Sequence, residues 1–357
     1  MVGTLAVSLF GVGTWILFFP LVFFYGSVPL LDFLIGEDTS NPPESSIAAL
    51  EADPYYRWIT YATIPVLWVS VIFNCIFLCS FSLSAMEWIA TVITTGSVLG
   101  FGLNVSHELG HKLQKTPRKI ALFNTALGVY GHFSIEHNRG HHRHVSTPED
   151  PASSKMGENI YQFACREIPG GAFRAWQLES DRLHRQNKSS WHFENEILQA
   201  LCLSILVHGT LIAFYGIEML MVLVPVALWG AFQLTSANYV EHYGIQRLKT
   251  AQGTYESCKP HHSWNSNHLV SNLVLFQLQR HSDHHTHPGR CYQSLRDFPN
   301  LPRLPSGYFG MFFLAYIPPL WYWVMDPLLI KTVGGKSDHI NFLPSAKQRL
   351  MQKYQLQ

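Results

Sequence analysis

The sequence has long stretches without any positive charge, and these coincide with its most apolar runs. No Lys or Arg occurs before Arg57, and none occurs between Ile59 and His111. None occurs between Ser189 and Gln246 or between Leu304 and Ile330 either. Bilayer segments exclude cations in this way, whereas a soluble domain distributes them over its surface. The charge distribution therefore argues against a pair of soluble domains, although 357 residues would suffice for them.

Cysteine is absent from the patterns that would hold a metal or build a disulfide framework. There are six cysteines and no CxxC pair, and Cys75 and Cys79 lie inside an apolar run. Any iron–sulfur electron carrier must therefore be a separate protein. The sequence also shows no cleavable signal sequence, phosphate-binding glycine loop or internal repeat.

Five segments are long and apolar enough to cross a bilayer, which needs about 20 residues per helix. They are Gly13–Ile35, Ile59–Phe81, Met86–Asn104, Ile197–Tyr215 and Ile217–Ala237. The sequence thus predicts an all-α integral membrane protein. We expect a bundle of about five to six transmembrane helices with a cytoplasmic histidine-rich cap, forming a single domain over residues 1–357.

The cations predict the orientation of these helices. Two short uncharged links, near residues 82–85 and at Gly216, make helical hairpins whose other ends carry the positive charges. By the positive-inside rule those ends face the cytoplasm. The cations at the two ends are Lys112, Lys115, Arg118 and Lys119, and Arg247 and Lys249.

Two apolar segments do not fit simple spans. Met1–Phe10 is too short to cross alone, so either the start is shortened relative to a six-span parent or this segment folds back within the membrane. Tyr308–Leu329 carries Pro318 and Pro319 in its middle, and proline interrupts a helix. We predict an interfacial hairpin over residues 308–330, with a true span as the alternative.

The 19 histidines are concentrated in polar segments next to the spans. The segments NVSHELGHK and IEHNRGHHRHV each contain an i, i+4 pair of rings, LQRHSDHHTHP has rings at i, i+3 and i+4, and NYVEHYG contains one histidine. Rings three or four residues apart share a helix face. Nine rings clustered on one membrane side would repel one another if protonated and would be costly to bury unpaired if neutral. Metal binding resolves both problems. The predicted ligands are His107, His111, His137, His141, His142, His242, His281, His284 and His285.

The number and type of ligands favour two iron ions. The HELGH segment is similar to the HExxH of zinc proteases, but such a site needs only one further ligand. Zinc is usually satisfied by four ligands, whereas nine imidazoles suit two metals that tolerate higher coordination and keep open positions. Open positions next to apolar helices indicate dioxygen chemistry on an apolar substrate.

Four carboxylates lie next to these histidines or two residues away: Glu108, Glu136, Glu241 and Asp283. A carboxylate behind a ligand ring accepts its second N–H and holds the ring in position. We expect this role for the four, with direct ligation or plain surface charge as alternatives.

Together the motifs HELGHK, EHNRGHH, NYVEHYG and LQRHSDHHTHP resemble the membrane-bound alkane 1-monooxygenases. These are the AlkB-type non-haem di-iron hydroxylases of the fatty-acid-desaturase-like superfamily. The resemblance runs over almost the whole chain and includes PLLDFLIGEDTSNPPE, DPYYRW, TPEDPA, SWNSNH and YQSLRDFP. Desaturases share the HxxxH and HxxHH theme, but the HYG element resembles the hydroxylase branch that includes xylene monooxygenase.

The resemblance implies two irons held by the same nine histidines at the cytoplasmic face of a bacterial inner membrane. It implies dioxygen-dependent conversion of n-alkanes, of medium chain length, to primary alcohols, with electrons from a rubredoxin and its NADH-dependent reductase. Phe24 is a candidate for limiting the substrate channel. Cations available to dock the acidic rubredoxin are Lys112, Lys115, Arg118, Lys119, Arg139, Arg143 and Arg290.

Three alternatives stay open. A desaturase or an aromatic side-chain hydroxylase would use the same scaffold, and its products would be an alkene or a benzylic alcohol. A metal transporter would need polar residues along a path through the spans, and these spans contain few, with His208 the main exception. No feature indicates nucleic-acid binding.

Overall fold

The computed structural model describes residues 1–356, which fold almost entirely into helices. Isolated β-bridges are the only strand-like pairings in that range. The helices are α1 Val2–Phe10, α2 Phe19–Val22, α3 Val28–Ile35, α4 Glu44–Ala52, α5 Pro54–Ser80, α6 Ala85–Gly110, α7 Lys115–Ala126, α8 Phe133–Ile135, α9 His142–His144, α10 Ile160–His184, α11 Glu196–Tyr215, α12 Leu220–His242, α13 Leu269–Val274, α14 His281–Thr286, α15 Tyr308–Ala315, α16 Pro318–Thr332 and α17 Lys347–Tyr354.

Five helical segments are long and apolar enough to cross a membrane, as predicted. They are Thr14–Ile35, Pro54–Ser80, Ala85–Gly110, Glu196–Tyr215 and Ile217–His242. Two of them run past their predicted ends, to Gly110 instead of Asn104 and to His242 instead of Ala237. Each of these helices therefore continues without a break from an apolar span into a histidine motif. The all-α membrane fold is confirmed.

Side-chain caps explain where three of the spans begin. Asp53 accepts a hydrogen bond from the backbone N–H of Tyr55 at the start of α5. Ser84 and Glu87 form a capping box at the start of α6, and Asn195 caps α11. These side chains satisfy backbone N–H groups that the first helical turn leaves without partners.

The apolar run after residue 307 forms two helices bent by 119° relative to each other. The break lies between Ala315 and Pro318, where the two prolines were expected to interrupt the helix. The bend agrees with a hairpin, and its interfacial placement stays a prediction.

The N-terminal segment folds back on the first span. Gly11 ends α1 in the left-handed conformation, and a Cβ at Gly3 would lie 3.3 Å from the carbonyl oxygen of Ile16. Thr4 Oγ1 donates to Asn74 Oδ1 of α5 at 2.7 Å. These contacts show that the segment packs against its neighbours, and both the shortened start and a fold-back within the membrane stay predictions.

The chain divides into two compact units. The first contains Met1–Ser27, Ala52–His137 and Ala172–Leu234, and the second contains Val28–Glu51, Asn138–Gly171 and the chain from Thr235 on. The single-domain organisation of the chain stays a prediction. The first unit holds α5, α6 and α11, and the second holds the short helices α13 and α14.

Small and polar residues fix α6 in the first unit. A Cβ at Gly96 would lie 2.7 Å from Trp229 Cβ, and one at Gly100 would lie 2.5 Å from Gln233 Cβ. Glycine thus allows the close helix approach that is typical of membrane bundles. Near the other end of α6, Asn124 Nδ2 donates to the Gly102 carbonyl at 2.7 Å and to Ser106 Oγ at 2.9 Å. These contacts hold the turn that carries His107.

Candidate metal centre

Three predicted ligands come together in the first unit. His107 and His111 lie at the end of α6, on one helix face as their spacing predicts, and His137 follows α8. The ring centroids of His137 lie 4.4 Å from His107 and 5.0 Å from His111, and the two α6 rings are 4.9 Å apart. Each ring can offer one nitrogen to a metal, and these nitrogens lie within 4.8 Å of one another.

A π-helical turn carries the second histidine motif. It runs from Glu136 to His141, so each backbone bond spans one residue more than in an α-helix. Such π turns are rare, and they occur frequently at functional sites. The turn shifts the register of the rings that follow it. Sequence spacing alone does not show that shift.

Four predicted ligands form a buried cluster within the second unit: His141, His242, His281 and His285. Their ligand nitrogens all lie within 4.8 Å of one another. The Nε2 of His281 is 3.2 Å from that of His242 and 2.8 Å from that of His285. All four side chains are almost fully buried. Converging imidazole nitrogens without a thiolate fit a first-row metal that accepts nitrogen ligands.

The second unit also pairs His142 with His284. Their Nε2 atoms are 3.1 Å apart. The HxxHH segment of α14 therefore divides its rings, because His281 and His285 turn into the four-histidine cluster while His284 meets His142. A helix places residues i and i+4 on nearly the same side and i+3 beside them, which accounts for this division.

Burial keeps the ring of His285 in this cluster neutral. The pKa of His285 lies well below its ordinary value, because burial disfavours the charged ring and the neighbouring His281, His142, His141 and His242 repel a proton. A neutral imidazole keeps the lone pair that a metal needs. The site is thus ready to bind a cation at neutral pH without first releasing a proton from this ring.

A carboxylate that the sequence did not single out supports this cluster. Asp150 is fully buried, and its Oδ2 lies 2.8 Å from His141 Nδ1. Ser153 Oγ donates to the same oxygen at 2.7 Å, and the Ala152 N–H donates to Oδ1 at 3.2 Å. Asp150 thus fixes the ring of His141 from behind. Its only sequence signal is the TPEDPA segment, in which Asp150 lies nine residues beyond His141.

We expect Asp150→Asn to lower both iron content and turnover, because an amide is a weaker partner for the ring N–H. Loss of such a supporting group typically costs about 10- to 100-fold in metal affinity or activity. Iron per chain and alcohol formation would be measured on the same purified sample. The matched control is Glu149→Gln at the neighbouring acid, whose side chain is largely exposed. Equal behaviour of the two variants would remove Asp150 from this role.

Three of the predicted supporting carboxylates form ion pairs with cations. Glu108 pairs with Lys112 at 2.6 Å. Glu136 accepts from Arg174 Nε at 2.8 Å, and Asp283 pairs with Arg290 at 2.6 Å and with His287 at 2.8 Å. For these three, a role behind a ligand ring stays a prediction.

Glu241 differs from the other three carboxylates. It is 2% exposed, and its Oε2 lies 3.3 Å from His281 Nε2. That nitrogen is the one that converges with His242 and His285, so Glu241 lies on the metal-facing side of the ring. This position favours the alternative in which Glu241 itself approaches the metal.

No other histidine of residues 1–356 joins the nine in a group of three or more metal-binding side chains. His208, the polar exception within the spans, lies 3.1 Å from the Leu127 carbonyl oxygen through its Nε2. It thus satisfies a backbone group between two helices of the first unit.

The sequence matches one protein family model and is similar to several individual enzymes. Residues 82–315 match the model of the fatty acid desaturase family. An alkane 1-monooxygenase of Pseudomonas putida is 50% identical over 95% of this chain and 85% of its own length. Alkane 1-monooxygenase 1 of Alcanivorax borkumensis is 49% identical over 94% of this chain and 83% of its own.

A more distant relative differs in its substrate. The hydroxylase component of a xylene/toluene monooxygenase of Pseudomonas putida is 28% identical over 67% of this chain and 61% of its own length. The similarity to the two alkane 1-monooxygenases is therefore both higher and more extensive.

Proposed function

Because the chain belongs to the alkane 1-monooxygenase family, we propose that it oxidises medium-chain n-alkanes to primary alcohols with dioxygen and with electrons from a rubredoxin. The observation that carries this proposal is the buried cluster of His141, His242, His281 and His285. His242 of this cluster is the last residue of an apolar span, where a substrate dissolved in the bilayer would arrive.

The nine predicted histidines fit two iron ions. The cluster in the second unit supplies four nitrogens for one iron, with Asp150 holding His141 from behind. The other five predicted ligands belong to the same proposal: His107, His111 and His137 lie in the first unit, and His142 and His284 lie in the second. When bound there, iron supplies the activation of dioxygen that carbon–hydrogen oxidation requires.

The residues of the chain hold the substrate in position and exclude water from the site. A terminal C–H bond is stronger than an internal one, so selectivity for the terminal carbon has to come from how the substrate is held. The burial of all four histidines of the cluster keeps bulk water away. Glu241 can hold a proton at Oε2, 3.3 Å from His281 Nε2.

We propose that Phe24 limits the length of alkane that reaches the site. Phe24 lies in the π-helical turn Phe23–Ser27 of the first span and is half-buried. Its neighbour Tyr25 donates to Gln233 Oε1 at 2.7 Å and thereby ties this turn to α12.

Phe24→Ala is expected to raise the ratio of dodecanol to octanol several-fold, because a shorter side chain leaves room for a longer substrate. Products of mixed alkanes would be resolved by gas chromatography. The control is Phe23→Ala, whose ring is more exposed. An unchanged product ratio in Phe24→Ala would show that the ring faces lipid.

An acidic electron donor would dock on cations at the cytoplasmic side. In the first unit, Lys115, Arg118 and Lys119 lie exposed on the first turns of α7. We propose that they attract the rubredoxin, which affects encounter rate more than affinity. The positive charges at the cytoplasmic ends of the spans favour a bacterial inner membrane with the metal site facing the cytoplasm.

The test is oxidation of octane by purified, iron-loaded protein with rubredoxin, its reductase and NADH. We expect 1-octanol that depends on both dioxygen and iron. The second candidate is an aromatic side-chain hydroxylase, which the xylene/toluene relative favours. A benzylic alcohol from xylene without any octanol would select that candidate, and an alkene from an acyl lipid would indicate a desaturase.

A further inference from the structure

A cluster of buried aromatic rings begins at the residue that follows His242. Tyr243, Tyr239 and Trp321 are almost completely buried in the second unit. The centroid of Trp321 lies 5.2 Å from that of Tyr243 and 5.0 Å from that of Tyr239, and the two tyrosines are 5.6 Å apart. At these separations the rings are in direct contact.

The hydroxyl groups of the two tyrosines have different partners. Tyr243 donates to Asp326 Oδ1 at 2.8 Å, whereas Tyr239 donates to the backbone carbonyl of Glu158 at 2.7 Å. A phenol becomes strongly acidic when it loses an electron, so its oxidation requires a group that accepts the proton. A carboxylate is such a group and an amide carbonyl is not. Of these two tyrosines, only Tyr243 has a hydrogen-bond partner that makes it readily oxidised.

Asp326 connects Tyr243 to a tyrosine near the end of the chain. Tyr354 on α17 donates to Asp326 Oδ2 at 3.1 Å. Asp326 is 1% exposed, whereas Tyr354 is only half-buried and receives a hydrogen bond from Lys353 Nζ at 2.8 Å. One buried carboxylate thus bridges an internal phenol and a phenol that solvent reaches.

Trp321 has a feature that packing does not explain. Its indole Nε1 is buried and has no hydrogen-bond partner within residues 1–356. A phenylalanine would fill this position without burying an unsatisfied N–H group, and such groups in native proteins call for an explanation. A role in electron transfer would explain it, because an indole is easily oxidised and this one is in contact with Tyr243.

We propose that Tyr243, Asp326 and Tyr354, with Trp321 in contact, form a one-electron relay that carries oxidising equivalents away from the metal site. The relay rests on the proposed function, because that reaction supplies the oxidant. It acts when dioxygen has been activated and no alkane is present to consume the oxidant. Without an exit, the oxidant would attack the ligand histidines.

Each cycle of the relay carries one electron from a thiol in solution to the metal site. Tyr243 gives one electron to the oxidised metal site and its phenolic proton to Asp326. Tyr354 then gives an electron to the Tyr243 radical, and Tyr243 takes back a proton from Asp326. The proton of Tyr354 passes to Asp326 Oδ2. A small thiol in solution donates a hydrogen atom to the Tyr354 radical, and the proton on Asp326 goes to solvent. Two such cycles convert two thiols to a disulfide and reduce one oxygen atom to water.

The test uses the iron-loaded full-length protein, chemically reduced, exposed to dioxygen without alkane and frozen for electron paramagnetic resonance. We expect an organic radical whose spectrum narrows when the protein contains ring-deuterated tyrosine. Tyr243→Phe should abolish the signal. Tyr239→Phe is the matched control in the same cluster and should retain it. Absence of the radical in the parent protein, or its equal loss in both variants, would overturn the proposal.

Tyr354→Phe tests the outward step without changing the buried cluster. With alkane present, turnover should equal that of the parent protein. Without alkane, the variant should lose activity several-fold faster in the presence of thiol, and histidine oxidation should increase in peptide mass spectra. Equal inactivation rates would exclude Tyr354 as the exit. A structural role for Tyr243 would instead lower iron content and melting temperature together, and both are measured on each sample.

Octane turnover separates the two proposals. Alcohol formation without a radical would remove the relay and leave the monooxygenase. A tyrosyl radical without alcohol formation from any alkane would remove the proposed substrate and leave the relay.

Discussion

Replacing His242 by alanine is expected to lower alkane oxidation by more than about 100-fold while the protein stays in the membrane. Groups that merely support a ligand cost about 10- to 100-fold when removed, so a ligand must cost more. His242 is fully buried, and its Nε2 lies 3.2 Å from that of His281. Alcohol formation and iron per chain would be measured on protein extracted from washed membranes, and iron should fall by about half.

The matched control is His287→Ala in the same unit. His287 belongs to the LQRHSDHHTHP motif, but its side chain is about half exposed and pairs with Asp283 at 2.8 Å. It should keep both its iron and most of its activity. Normal turnover by His242→Ala would remove this residue from the metal site.

Replacing Gly244 by alanine should have the second large effect, because two costs combine there. Gly244 has a φ of +71°, and a Cβ would overlap Cδ2 of the buried Leu329. The left-handed conformation costs a non-glycine residue about 1–2 kcal/mol, and overpacking costs about 1–3 kcal/mol more. The turn lies two residues beyond His242, so the strain acts on a ligand. We expect a lower melting temperature together with loss of iron.

Gly253→Ala separates the two costs. Gly253 has a similar φ of +80°, but a Cβ there would meet nothing within 4 Å. This variant should lose only about 1–2 kcal/mol, through backbone strain, and should keep its iron. Equal destabilisation by the two variants would show that backbone strain alone, and not the contact with Leu329, makes Gly244 necessary.

The long helices could be predicted because each follows from a local property. An apolar run without cations favours a helix across the bilayer, so the five spans could be predicted from hydropathy together with the absence of Lys and Arg. The ends of the spans were less certain. Hydropathy stops at Asn104 and Ala237, whereas the helices reach Gly110 and His242, since helical hydrogen bonding continues into polar residues.

The candidate ligands could also be predicted, because imidazoles at i, i+3 and i+4 are unusual and share a helix face. Their division within α14 could not, since it depends on where the chain brings His141, His142 and His242. The carboxylates that support the ligands were the hardest residues of the site to predict from the sequence. The sequence drew attention to acids adjacent to histidines, and three of those form ion pairs with cations.

The sequence by itself determined a multi-pass helical membrane protein, its family and the histidines from which a metal site is built, since periodicity, charge and motif spacing are local. The tertiary structure alone decided that Asp150 holds His141, that Glu241 faces the converging nitrogens, and that Asp326 joins Tyr243 to Tyr354. The reason is physical. A buried hydrogen bond depends on distance and direction between segments that are far apart in the chain, and no local pattern records either.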